Sequence, residues 1–370
     1  MSDMFVCGPL THLPLLTKLF GRAVAPDELT PATLADHVIC DVPGQPAVMY
    51  YDEAGTDISG MVLHLAGASE LARIAFFQAG YGLHPSLMAV TLADGARTEV
   101  QVFLPQDMGA VTGQAWSPQQ WVAQWGEIAV AAADEIMAQI GQLTADQIAS
   151  RLPGIHIRAA SYVAAQARSL GATRDLNRDI LVHQRHRKYS NFFAAEEMDL
   201  QYRRYDGEMS AVLNRGAQML GQAAVVLPYD PGADAVLMVE QFRAPLFMGG
   251  DREPWLWQPV AGLVDPGETP EVAAHREAIE EAGLELSQLF PVAGVYSSPG
   301  ANSDFVNLFV GLGDFSTRSA GGGLAEEGED IKVRMVGFDD LMQGIDQGHY
   351  RDMQLVLTSL WLARHRHQWR

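Results

Sequence analysis

The chain has little positive charge. Its 370 residues carry 25 Lys and Arg against 45 Asp and Glu, for a formal net charge of −20. Nucleic-acid binding needs a basic footprint, so this balance argues against that class, and against docking on an anionic membrane surface. An anionic small molecule stays compatible, because a bound metal reverses the local field. Cysteine is as scarce. Cys7 and Cys40 are the only two. They have neither metal-ligand spacing nor a disulfide framework, and a reducing compartment is the simple expectation. No run approaches the roughly 20 apolar residues of a transmembrane helix. Met1-Ser2-Asp3 supplies no basic n-region ahead of Leu13–Phe20, so a cytoplasmic protein without a signal peptide is expected. Internal repeats and low-complexity tracts are absent.

What is present is material for cores. Apolar residues make up 48 % and charged residues 19 %, a globular composition. At roughly 100–200 residues per domain, the length suggests two or three domains. Up to about Val111, short apolar segments (Met4–Val6, Ala47–Tyr51, Gly60–Leu65, Glu99–Leu104) alternate with turn signals and read as strands. Leu13–Phe20 and Ser69–Gln78 read as helices. Ser117 to Ala167 reads as helical, opened by Ser117 as N-cap and Pro118 at the first helical position. The polar stretch 166–188, with His183-Gln184-Arg185-His186-Arg187-Lys188, is expected to connect two domains. From Tyr189 strands return at Gln222–Pro228, Val236–Phe242, Val292–Ser297, Phe305–Val310 and Lys332–Val336. Helices are expected at Pro270–Ala282 and about Met353–Arg366, an α+β or α/β pattern.

The chemistry is concentrated in Gly262–Leu284. Thr269 can cap a helix, Pro270 suits its first position, and Gly283 suits the left-handed residue after its end. On that helix Glu277, Glu280 and Glu281 share a face, and Arg276 stands four residues before Glu280. Three crowded carboxylates repel one another. Solvent and Arg276 relieve that, or a hard divalent cation such as Mg²⁺ or Mn²⁺ does. A bare E-x-x-E-E is most simply a solvated helix face. The whole segment, however, matches G-x5-E-x7-R-E-U-x-E-E-x-G-U at every specified position. Seven fixed residues at roughly one in twenty each make a chance match about one in a billion per window.

This pattern resembles the signature of the Nudix hydrolases. The resemblance implies cleavage of a nucleoside diphosphate linked to another moiety, with divalent metal on the pyrophosphate. It implies Glu277 and Glu281 as main metal ligands, Glu280 assisting and Arg276 orienting the glutamates. It also implies Gly262 for a tight loop and the Ala261 carbonyl as a further ligand. The flanks, Val239-Glu240-Gln241-Phe242-Arg243-Ala244-Pro245, Pro254–Gly262, Ser298-Pro299-Gly300 and Leu324–Ile331, are similar in order and spacing to the ADP-ribose pyrophosphatases, which yield AMP and ribose 5-phosphate. By position Glu327 is the candidate general base and Glu329 an additional metal contact. Arg243 binds phosphate or the terminal ribose, or makes a surface salt bridge. Ser298, Pro299, Gly300 and Gln258 are candidate substrate contacts. Gln258 is a departure, since relatives often carry Glu there. Tyr189, Phe192 and Phe193 resemble aromatics that stack on adenine in this subgroup, with core packing as the rival reading. A homodimer with Phe193–Met209 reaching the partner is implied. Alternatives are another nucleoside-diphosphate sugar or dinucleotide as substrate, or an ADP-ribose-binding regulator.

Phe5-Val6-Cys7-Gly8-Pro9-Leu10, with Ile58–Leu63, Ile74–Tyr81 and Val100–Leu104, resembles the opening of gamma-glutamylcyclotransferase-like domains. That implies a small barrel-like fold with a pocket at Gly8, Leu10 and Gln78. Gln78 stands about where that family places a catalytic glutamate, and an amide takes no proton at neutral pH. The expectation is a domain over 1–165 without cyclotransferase activity, a connection over 166–188, and a Nudix α/β/α sandwich over 189–370. Two-domain chains of this order resemble tellurite-resistance proteins of the TrgB type. No thiol or redox centre points to metalloid chemistry.

Overall fold

Apolar alternation, turn residues and helix caps resolve the chain into two compact units, Met1–Met219 and Leu220–Arg370. The computed structural model describes residues 3–41, 48–52, 55–64, 67–106, 114–168, 173–319, 322–324 and 328–369.

The first unit holds strands β1 (Met4–Val6), β2 (Leu29–Leu34), β3 (His37–Asp41), β4 (Val48–Tyr51), β5 (Ile58–Leu63), β6 (Leu83–Leu92), β7 (Arg97–Pro105), β8 (Gln114–Ala115), β9 (Ile180–Ser190), β10 (Ala194–Tyr202) and β11 (Leu213–Met219). Its helices are α1 (Leu13–Phe20), α2 (Ala68–Gly80), α3 (Pro118–Trp121), α4 (Glu127–Met137), α5 (Ala145–Ala149), α6 (Leu152–Ala167) and α7 (Leu176–Asp179). Strand β1 pairs antiparallel with β5 and parallel with β7, so the path β1-β5-β2-β6-β7 closes into a barrel. The two-residue period of a strand divides the side chains between two cores. Phe5, Val62, Val100 and Val102 pack with Leu34 and Val90. Met4, Val6, Leu63 and Phe103 pack against Leu15 and Leu19 of α1, Ile74 and Phe77 of α2, and Ile136 of α4.

The stretch read as a connection, 166–188, contains α7 and most of β9, and the boundary between the units falls after Met219. Strand β9 pairs with β10, and β10 with β11, as a separate three-stranded sheet. Nearly all β9 side chains are exposed, so it has no apolar alternation to betray it. Arg185 and Arg187 instead reach the buried Glu196 of β10, Arg185 at 2.7 Å. A second buried pair, Arg158 with Glu135 at 2.7 Å, joins α6 to α4.

The second unit holds β12 (Gln222–Asp230), β13 (Ala235–Phe242), α8 (Ala244–Met248), β14 (Trp255–Gln258), β15 (Val260–Leu263), α9 (Pro270–Ala282), β16 (Gln288–Tyr296), β17 (Phe305–Leu312), β18 (Lys332–Gly337), α10 (Phe338–Asp346) and α11 (Met353–His365). The sheet runs β14-β13-β12-β17-β16, with β15 added to β12 and β18 to β13. Ala224, Val226, Leu237 and Val239 face four alanines of α9: Ala273, Ala274, Ala278 and Ala282. Leu227, Tyr229, Val236 and Met238 face Phe338 and Leu341 of α10 and Leu355 and Leu362 of α11. Helices therefore cover both faces of a mixed sheet.

One buried titratable pair in the first unit has a measurable consequence. The Tyr81 hydroxyl and Nε2 of His156 share a hydrogen bond at 2.8 Å, and the imidazole also packs on Trp125. Burial lowers the His156 pKa to about 4, against roughly 6.5 when unfolded. Between these values the unfolded chain binds the extra proton. Stability is therefore lost as pH falls from about 6.5 to 4, by about 3 kcal/mol in total. In His156→Gln this component is absent. The shift in denaturation midpoint between pH 7 and pH 4.5 should be smaller in the variant than in the wild type. Identical shifts would refute the assignment.

Candidate active site

The residues of the signature meet where β15 runs into α9. Thr269 Oγ1 caps the helix by accepting from the Val272 N–H at 3.3 Å, and Gly283, at φ 63°, ends it. Strand β15 pairs only with β12 among the described strands, Ala261 opposite Val225 and Gly262 opposite Ala224. Gly262 is required by closeness. A Cβ there would lie 1.8 Å from Glu277 Oε1, so the carboxylate of Glu277 rests directly on the strand backbone.

Arg276 organises the carboxylates. Its Nε and Nη2 donate to the two oxygens of Glu268 at 3.1 and 3.0 Å. Nη1 donates to Glu277 at 2.6 Å and to Glu280 at 3.0 Å, and Nη2 also reaches the Leu263 carbonyl at 3.0 Å. Glu268 and Glu277 raise the guanidinium pKa further, Glu268 contributing most.

Glu281 lies deeper, at 1 % exposure, and accepts from the Ala261 N–H at 3.0 Å. Burial pushes its carboxyl up to about 8, with the charges of Glu277 and Glu329 adding to the rise. Burial likewise pushes Glu277 up to about 7, against the opposing pull of Arg276. These are hard oxygen donors whose negative charge is under-compensated, which is the chemistry that a divalent cation satisfies. Among the described residues no three such groups already converge as a cation cage. Glu277, Glu281 and Glu329 are nevertheless close enough to perturb one another and fit an Mg²⁺-type ion in charge and donor type.

Glu329 is carried to the signature by the following loop. Its two oxygens accept from Gln241 Nε2 at 3.3 Å and the Leu324 N–H at 3.1 Å. The Gly323 N–H donates to the Glu280 carbonyl at 3.3 Å, which ties the loop to α9. Gly323 has φ +82°, and a Cβ there would lie 2.7 Å from the Glu329 side chain. Glu327 lies outside the described residues, as does Glu326.

Arg243, just beyond β13, donates through Nε to Gln258 Oε1 at 3.0 Å. Its charge acts on Glu281 and on the half-buried Asp352. Gln258 is 4 % exposed, and its Nε2 has no partner among the described residues. Ser298, Pro299 and Gly300 form an exposed turn in which the Ala301 and Asn302 N–H groups donate to the Ser298 carbonyl. Among the described residues no hydrogen bond joins this turn to the signature. Phe193 belongs to the first unit, its ring paired with Tyr189 at 5.1 Å. So do Gly8, at φ +54°, the core residue Leu10, and the buried Gln78 of α2. Sequence reasoning named no role for Gln241, although it shares a strand face with Val239 and Arg243. It also missed the Leu263 carbonyl, which no side-chain pattern signals.

Comparison with known proteins agrees with this geometry. A NUDIX domain model matches residues 219–355. An ADP-ribose pyrophosphatase of Escherichia coli (strain K12) is 37 % identical over 187 residues, 50 % of this chain and 89 % of that protein. An ADP-ribose pyrophosphatase of Haemophilus influenzae is 36 % identical over 176 residues, 47 % of this chain and 81 % of the relative. A GDP-mannose pyrophosphatase of Cronobacter sakazakii is 32 % identical over 167 residues, 45 % of this chain and 86 % of the relative. With a complete signature folded around Arg276 and relatives aligned over most of their own length, the chain belongs to the Nudix family.

Proposed function

We propose that the protein hydrolyses the pyrophosphate bond of ADP-ribose to AMP and ribose 5-phosphate. The observation that carries the reading is the pair of charge-crowded glutamates, the half-buried Glu277 and the buried Glu281, beside the Arg276 knot. The names of the 37 % and 36 % identical relatives point to the same substrate. Glu277, Glu281 and Glu329, with the Ala261 carbonyl, would hold Mg²⁺ or Mn²⁺. Such an ion neutralises the pyrophosphate and activates a water. Arg276 keeps Glu277 in place and ties Glu280 to it. Glu327 is the candidate base for the water proton. Hydrolysis then forms a bond from water oxygen to one phosphorus and breaks the bridging P–O bond. The second phosphate leaves with its oxygen. Arg243 and Gln258 are candidate substrate contacts, supported by their hydrogen bond to one another and by the charge of Arg243 acting on Glu281, with the Ser298–Gly300 turn as a further candidate.

The first unit, we infer, is a gamma-glutamylcyclotransferase-like barrel that has lost its chemistry. Its closed five-stranded barrel and the amide at Gln78 support this. The exposed aromatics Tyr202 and Tyr205 within 193–209 support a homodimer contact through that segment. Two free thiols support a cytoplasmic location. Burial pushes the Cys7 thiol up to about 12, so it offers no thiolate for tellurite chemistry.

Three measurements test this. With Mg²⁺, ADP-ribose should be the best of a panel including GDP-mannose, NADH and diadenosine polyphosphates, with AMP released. A chelator should abolish turnover. Glu281→Gln keeps the acceptor for the Ala261 N–H and should melt no lower than the wild type while losing at least about a hundredfold in kcat. Near-normal AMP release by that variant would sink the assignment. Second, gamma-glutamyl amines should give no 5-oxoproline with the wild type, and measurable release would overturn the reading of Gln78. Third, light scattering on eluting protein should report the dimer mass, and a monomer mass would reject the proposed contact.

A further inference from the structure

Gln241 lies half-buried near the end of β13, two residues after Val239 and therefore on the strand face that meets the alanines of α9. Strand β18 pairs with β13 as far as Lys332 opposite Glu240, so Gln241 stands level with the segment that enters β18. That segment carries Glu329. Gln241 Nε2 donates to Glu329 Oε1 at 3.3 Å, and the Leu324 N–H donates to Oε2 at 3.1 Å. The Glu329 N–H in turn donates to the Leu324 carbonyl at 3.2 Å, so Glu329 closes its own loop. Both donors to the carboxylate are neutral, and among the described residues Glu329 has no ion-pair partner. Its charge acts on Glu277 and Glu281. Like charges repel, and a side chain free to turn would carry Glu329 away from α9. The Leu324 bond lies inside the loop and moves with it. The Gln241 bond sets the carboxylate against the sheet. It also fixes the amide, because turning it over would face Oε1 with a carboxylate oxygen.

We propose that Gln241 is a positioning residue for the metal, holding the Glu329 carboxylate toward Glu277 and Glu281 while leaving its charge intact. The inference rests on the proposed divalent-metal reading of this site. A carboxylate has about four acceptor positions, two on each oxygen. One on each oxygen is taken, which leaves both oxygens able to bind a cation. A lysine or arginine in place of Gln241 could hold the same oxygen, but its charge would offset the one that the cation needs. The amide restrains without competing. Partners behind a metal ligand act in this way in general, and their loss weakens metal binding by roughly 10–100-fold.

The test titrates the full chain with Mn²⁺ alone and reads the free ion by electron paramagnetic resonance. Gln241→Met removes the donor at similar volume. It should raise the Mn²⁺ Kd about tenfold. The Mg²⁺ concentration for half-maximal turnover of ADP-ribose should rise in parallel, while KM at saturating Mg²⁺ changes less than about twofold. Glu329→Gln separates action through Glu329 from a merely structural role. In that background Gln241→Met should add less than about twofold to the Mn²⁺ Kd, because the carboxylate it positions is gone. An unchanged Mn²⁺ Kd in Gln241→Met, or the full loss added again in the Glu329→Gln background, overturns the inference. A wild type that binds Mn²⁺ and leaves ADP-ribose intact defeats the substrate reading alone, and the Mn²⁺ cycle still decides the role of Gln241. A wild type that binds no Mn²⁺ overturns both.

Discussion

One guanidinium holds the candidate active site together. Arg276 binds Glu268 through two parallel hydrogen bonds, and from the same group reaches Glu277, Glu280 and the Leu263 carbonyl. These contacts join three pieces of chain: the end of β15, the loop before α9, and the helix itself. Partly exposed ion pairs contribute little stability individually. What this network supplies is geometry. Five acidic side chains stand within fourteen residues, 268–281. Without the arginine, Glu277 and Glu280 would swing toward solvent to escape one another. Their orientation follows from sharing one planar donor.

That orientation would be useless if the helix stood farther from the sheet. Ala273, Ala274, Ala278 and Ala282 give α9 a shallow buried face, so it packs close to β12 and β13. The close approach is what brings Glu277 onto Gly262 and Glu281 within hydrogen-bond reach of the Ala261 N–H. That N–H is available because β15 pairs with β12 and, among the described strands, has no second neighbour on its other side. A larger residue at position 278, common in such signatures, would occupy this same buried face; alanine suits it here. Small residues in the sequence thus become short distances, and short distances become raised carboxyl pKa values at Glu277 and Glu281.

Much of this was legible in the sequence, for local reasons. The limits of α9, Pro270–Ala282, follow from Thr269, Pro270 and Gly283, whose effects are confined to the helix ends. Strands β12, β13, β17 and β18 were visible because they bury apolar side chains. Strand β9 was not. It is almost entirely exposed and is held by its ladder and by Arg185 and Arg187, so it carries the composition of a linker. Glu329 follows from the resemblance of its acidic stretch to the ADP-ribose pyrophosphatases, but its partner Gln241 is 88 residues away in sequence, and only the folded sheet unites them. The orphan amide of Gln258 depends on burial atom by atom, which no residue pattern expresses.

The acidity of the chain takes on a different meaning at this scale. A formal charge of −20 would repel a pyrophosphate at long range, although screening confines that repulsion to about 8 Å at physiological salt. Within that distance the local arrangement decides. The carboxyls of Glu277 and Glu281, with raised pKa values, carry negative charge only at a cost, which a divalent ion relieves. Arg243 is hydrogen-bonded to a neutral amide, Gln258, and its charge acts on Glu281. Metal-assisted cleavage needs both signs at once, one to retain the cation and one to receive the phosphate beyond the cation's reach. Arg276 is already bonded to Glu268, Glu277 and Glu280, so its charge goes to orienting those carboxylates, while Glu281 accepts from the Ala261 N–H.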